Sequence, residues 1–222
     1  MRRALGALCA LHTLATPALV GGAAVAALLA QGCTVCIHGR NWPFKIGTDP
    51  DAHLVVMEPV PSTIAELIAI PHAERPPEMR RIAPAELHTY TLRDVTLRSF
   101  QRSPDGDVHM VLADAEGRTM IAEATPPSCT AETSPWRARI AEVRETVDEI
   151  VGQSVIGWGH RTVSMTGVGY MDSLHGQPGV APNGMEIHPI LAICFGRGCA
   201  LRDIVHGPVA RGASAPGARC AD

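Results

Sequence analysis

Aromatic residues are scarce in this chain: three Trp, three Phe and two Tyr make up 4% of 222 positions. A core must therefore be built from Val, Ile, Leu, Met and Ala. Charge is sparse too, at 18% against the roughly 25% of an average globular domain. The net charge of −3 supplies no global field to gather nucleic acid, so any phosphate binding has to come from a local patch. The sequence has no Gly-rich phosphate loop, Gly-x-Ser-x-Gly elbow or His-Glu-x-x-His pair. Without them, Ser and Cys nucleophiles and zincin chemistry have no support. A second close cysteine pair to match Cys33-x-x-Cys36 is also missing, since Cys194 and Cys199 are loosely spaced. Disulfides are therefore preferred over a zinc site.

What is present begins with Met1-Arg2-Arg3 and a charge-free run from Ala4 to Gly32. A basic start and an apolar run describe a secretory leader. The run exceeds the ~20 apolar residues of a membrane span, but Pro17, Gly21 and Gly22 weigh against one, and Ala24-Val25-Ala26 offers a small-x-small cleavage pattern. Residues 1–32 are expected to be a signal peptide or membrane leader. Export to the periplasm or beyond comes first, a retained N-terminal anchor second and lipidation at Cys33 third; a misassigned start on a cytoplasmic protein is the alternative. No stable membrane span is expected in the mature form. Removing the leader deletes Cys9 from the seven cysteines and leaves six, an even number that suggests disulfides in an exported chain. Their connectivity stays open.

Residues 33–84 form an N-terminal extension of turns, with a short strand over 53–57. Thr63-Ile64-Ala65-Glu66 is a capping box opening a short helix that Pro71 ends. Residues 85–196 carry the main domain. A long strand over 88–100 changes its phase of alternation at Arg93-Asp94, the signature of a β-bulge. Ser103-Pro104-Asp105-Gly106 is a turn. Strands follow from Val108 and over 119–124. Ser134-Pro135 starts a helix over 135–151, with Trp136, Ile140, Val143, Val147 and Ile150 as its apolar stripe. Strands over 162–171 and 185–195 complete the set. Pro189, inside the last, implies an edge position or a bulge. Three strands, a helix and two strands is the order of a mainly β, five-stranded, OB-like Greek-key barrel, here with a short N-terminal helix added. Residues 197–222 read as a flexible tail.

Four motifs carry a resemblance. Asp105-Gly106-Asp107-Val108-His109-Met110-Val111-Leu112, Thr119-Met120-Ile121-Ala122-Glu123, Val168-Gly169-Tyr170-Met171-Asp172 with His175, and Glu186-Ile187-His188-Pro189 resemble a family of small exported bacterial proteins with motifs of the form DGDxHxVL, TMIxE, GVxFFD-x2-H and ExHP. Tyr170-Met171 replaces that family's aromatic pair. The resemblance covers roughly residues 49–195 and implies no particular activity. The Asp-Gly-Asp turn leading into a strand is also distantly similar to staphylococcal-type nucleases. That likeness implies carboxylates and an Arg on the next strand; Glu123 is there and the Arg is not.

Side chains repeat every two residues along a strand, so Asp107 pairs with His109 on one face and Glu186 with His188 on another. If the two pairs converge, they can hold a divalent metal, whose chemistry suits attack on a phosphodiester or ester. The catalytic candidates are Asp107, His109, Glu186 and His188. The metal candidates are His109, His188 and Asp172, and the ligand-binding candidates Asp105, His175, Asn183 and Trp158. The competing reading is structural, with Asp105 bonding its own turn and the histidines satisfied inside the fold. Two functional expectations follow. The first is an exported binding module for a small polar ligand or single-stranded nucleic acid, the latter stacking on Tyr90, Phe100, Trp158 and Tyr170. The second is a metal-dependent phosphodiester hydrolase.

Overall fold

A computed structural model describes Cys36 and residues 39–152, 156–174 and 176–205, with the side chain of Trp158 excepted. The leader, His175, Cys33 and most of the tail lie outside the described residues. Among the described residues no helix is long and apolar enough to cross a membrane.

Alternation of apolar and polar residues builds one sheet. Its strands are β1 (Val56–Ser62), β2 (His88–Arg102), β3 (Val108–Ala113), β4 (Thr119–Ala124), β5 (Ile156–Met171) and β6 (Met185–Phe195). They run in the order β1-β2-β3-β4-β6-β5, and β5 returns to pair with β2. Five strands thus close into a barrel, with β4 and β6 parallel and β1 added as a parallel strand on the outer edge of β2. The mainly β, OB-like barrel expected from the element order is the observed architecture. β2 is long enough to pair with β3 and β5 because it bends at the expected bulge: its register against β5 shifts between Leu92 and Val95, and Asp94 takes a positive φ of 51°.

Val108, Met110, Leu112, Met120, Ala122, Ala124 and Ile187 point inward to the main core. The register between β5 and β6 shifts around Gly167, where a Cβ would stand 2.4 Å from the Pro189 carbonyl oxygen. Pro189 lies past the two β6 residues that pair with β4. Its missing N–H therefore costs no bond on that side.

Three helices accompany the barrel: α1 (Trp42–Ile46), α2 (Ile64–Ile68) and α3 (Arg137–Val151). The capping box of α2 is formed as expected. α3 begins two residues later than Pro135, because the Ser134 hydroxyl donates to the Ile46 carbonyl and accepts from Trp136 N. Its buried stripe is Ile140, Val143, Val147 and Val151, with Val151 in the place expected for Ile150. Trp136 is buried with Ile140, Val168 and Leu191, and it lies against Gly47. That glycine has a φ of +70°, and a Cβ on it would stand 2.4 Å from the indole ring.

Two disulfides are present among the described residues. Cys194–Cys199 closes the loop after β6, and Cys36–Cys129 ties the extension to the segment following β4. The extension also shares the barrel core, through Ile64 and Leu67 of α2. Its buried ion pairs, Arg81–Asp49 at 2.5 Å and Arg75–Glu86 at 2.6 Å, fix it against the start of β2.

Candidate functional site

The inward-facing residues of β3, β4 and β6 leave their alternate neighbours on the outer wall of the barrel. Cross-strand register sets His109 opposite Glu123, and the parallel pairing of β4 with β6 sets Glu186 opposite Ile121. The wall thus gathers His109, Glu123, Glu186 and His188, with Asp107 arriving from the turn before β3. The two carboxylate–histidine pairs stand on one wall.

Glu123 is the hub. Its Oε1 accepts a hydrogen bond from Nδ1 of His109 at 2.8 Å. Its Oε2 lies 2.6 Å from Nδ1 of His188 and accepts from Nζ of Lys45 at 3.3 Å. His188 Nδ1 thus has Glu123 as its close ionic neighbour. On the other side of the ring, Nε2 faces Asp107 Oδ2 at 3.4 Å and Thr125 Oγ1 at 3.2 Å. Asp107 is fully buried, yet neither of its carboxyl oxygens accepts a hydrogen bond. A buried polar atom left in that state costs roughly 1–3 kcal/mol.

The electrostatics are uneven. Burial pushes the carboxyl of Asp107 well above the ordinary range, and the neighbouring Glu123 pushes it the same way. Burial likewise raises Glu186, with Glu123 and Asp172 adding to it. Burial would raise Glu123 as well, but His188, His109 and Lys45 outweigh it and hold Glu123 well below the carboxylate range. Burial lowers His188, with the Lys45 charge acting in the same direction. One carboxylate is thus kept ionised among neighbours that favour their neutral forms. Groups whose proton affinities are pushed apart in this way are the usual raw material of acid–base sites.

A cleft of about 420 Å³ opens onto this wall. His109, Glu123, Glu186, Lys45, Tyr170, Asp105 and Asp172 are among its lining residues. Asp105 also caps its own turn, accepting from Asp107 N at 3.2 Å. Asp172 accepts from the Tyr170 hydroxyl at 3.5 Å. Asn183 stands elsewhere: its amide donates to the Leu67 and Ile70 carbonyls and its oxygen accepts from Met185 N, which locks α2 to the barrel. Of the aromatics expected to stack on bases, Tyr90 and Tyr170 are buried and offer no exposed ring face. Sequence reasoning missed Lys45, and it left Glu123 outside the catalytic and metal sets. The Asp114–Gly117 turn, which pairs Ala113 with Thr119, fixes a register that places Glu123 opposite His109.

Among the described residues, Asp107, Glu123 and His188 each offer a ligand atom within 4.8 Å of the others. Two carboxylates and an imidazole suit a divalent first-row cation. The Asp107 oxygens, which accept no hydrogen bond, fit that donor set, because a metal takes the lone pairs that hydrogen bonds leave unused. His109 holds Glu123 from behind, as the outer hydrogen-bond partners of metal ligands do. Compared with protein-family models, curated proteins and solved structures, the chain matches none, so the site is interpreted from its own geometry.

Proposed function

We propose that the protein is a divalent-metal-dependent hydrolase of phosphodiesters or related esters. In this reading Asp107, Glu123 and His188 are the ligands and the adjoining cleft is the substrate site. The observation that carries it is the buried Asp107 carboxyl, which faces His188 and Glu123 and whose oxygens accept no hydrogen bond. A bound cation would supply Lewis-acid polarisation of a phosphoryl or acyl oxygen. The chain's own groups supply the rest. His109 lines the cleft and donates through Nδ1 to the ionised Glu123, which fixes the tautomer that leaves Nε2 free to accept a proton. An imidazole oriented by a carboxylate is a standard general base. Glu186, kept neutral by burial, lines the same cleft and can return a proton to a leaving oxygen.

Metal analysis of the purified full chain, combined with hydrolysis of bis(p-nitrophenyl) phosphate with and without added Mn²⁺, tests this proposal. Expected is metal-dependent turnover that Asp107→Asn and His109→Ala each remove, the first with loss of metal and the second with metal retained. Metal binding without turnover of phosphate or carboxylate esters would favour the second reading, a binding module that recognises a small polar ligand at the cation. The complete burial of His188 and Asp107, behind groups that line the cleft, supports that second reading.

A further inference from the structure

We propose that Lys45 is a tethered counter-cation that competes with the metal for Glu123 and so sets the site's metal affinity. The inference rests on the metal reading above and concerns the regulation of that same site. The Lys45 ammonium approaches the very oxygen, Oε2 of Glu123, that faces His188 Nδ1. A cation bonded to that oxygen would sit about 2 Å from it, with the ammonium 3.3 Å from the same atom. Two positive charges that close repel, so a metal has to displace the lysine or bind against it.

Lys45 does not belong to the barrel. It rides on α1, and α1 is fixed at several points. Trp42 Nε1 donates to the Cys129 carbonyl, Arg81 donates to the Phe44 carbonyl, Ser134 donates to the Ile46 carbonyl, and the Cys36–Cys129 disulfide closes the arm. The ammonium is therefore held over the carboxylates by an anchored arm. Asp105 and Asp172 line the same cleft and give a displaced ammonium an acidic alternative.

The test titrates the full chain with Mn²⁺, reading free ion by electron paramagnetic resonance and the fold by circular dichroism. Lys45→Gln is expected to bind at least roughly tenfold more tightly than the unsubstituted chain, and Lys45→Arg, which keeps the charge, within about threefold of it. A silent unsubstituted chain beside a binding Lys45→Gln chain would support the proposal most strongly. Equal or weaker binding by Lys45→Gln overturns the proposal and leaves the metal reading intact. Absence of Mn²⁺ binding in every chain overturns both. Should Lys45→Gln fail to fold, Lys45→Met keeps the apolar stem and carries the same comparison.

Discussion

Two buried polar clusters stand in this molecule, and they are built differently. Around Glu86, every carboxyl oxygen is used. Arg75 donates to both Glu86 oxygens at 2.6 and 2.7 Å, Ile82 N and Met171 N add one bond each, and Arg81 donates to both oxygens of Asp49. Around His188, neither oxygen of the buried Asp107 accepts a hydrogen bond. Both clusters exclude water, so the contrast lies in their bonding and not in their burial. A saturated ionic cluster can only hold parts together. An unsaturated one bears a cost that an added cation would remove.

The largest expected effect breaks the saturated cluster. Glu86→Ala leaves the buried Arg75 guanidinium and two backbone amides, of Ile82 and Met171, short of an acceptor, and is expected to cost about 3–5 kcal/mol in urea or thermal unfolding. A loss under 1 kcal/mol would show that the two clusters are not so different. Next, a divalent cation at about 100 times its Kd is expected to raise stability by about 2.7 kcal/mol. The gain should be absent from Asp107→Asn and unchanged in Arg80→Ala, whose guanidinium donates to Asp51 away from the site.

A smaller effect is the pH slope of the metal-free protein. Asp107 and Glu186 are raised, so between their ordinary values and their folded ones the native state holds more protons than the unfolded chain, and stability falls as pH rises. His188 is lowered and acts oppositely, but only below about pH 6.5. The lowered Glu123 acts only below the ordinary carboxyl range. Above the ordinary carboxyl range the decline should be at most about 1.4 kcal/mol per pH unit for each proton released, and Asp107→Asn with Glu186→Gln should flatten it. A flat profile in the unsubstituted chain would mean that both carboxyls are already ionised. Smallest of all, Asp107→Asn alone is expected to change stability by no more than about 1 kcal/mol, because burial already disfavours the charged carboxyl and the amide is neutral too.

The fold was legible because its signals are local. Alternation marked the strands, the phase change at Arg93-Asp94 marked the bend in β2, and Thr63 with Glu66 marked the cap of α2. The saturated cluster was not legible, because Arg75 and Arg81 lie in what reads as a proline-rich loop. Most of the candidate site was. Asp107, His109, Glu186 and His188 announced themselves by their two-residue spacing, but Glu123 emerges only once β3 and β4 are set in register. Lys45 reaches Glu123 across 78 residues from a five-residue helix, too short for any periodicity to reveal. Asn183 looked like a loop ligand, and only the packing of α2 gives it the Leu67 and Ile70 carbonyls as partners.

The Cys36–Cys129 bond spans 93 residues, while His188 arrives with the last strand. A ribosome therefore releases the lysine arm first, its anchor point and the β3–β4 wall near the middle, and the imidazole near the end. The residues of the site, from Lys45 to His188, enclose nearly the whole barrel, so no short fragment contains them. On the metal reading, Asp107, Glu123 and His188 come together only once translation has finished and the barrel has closed. Disulfides form and persist in oxidising compartments, so a chain kept reduced would lack the bond that closes its arm.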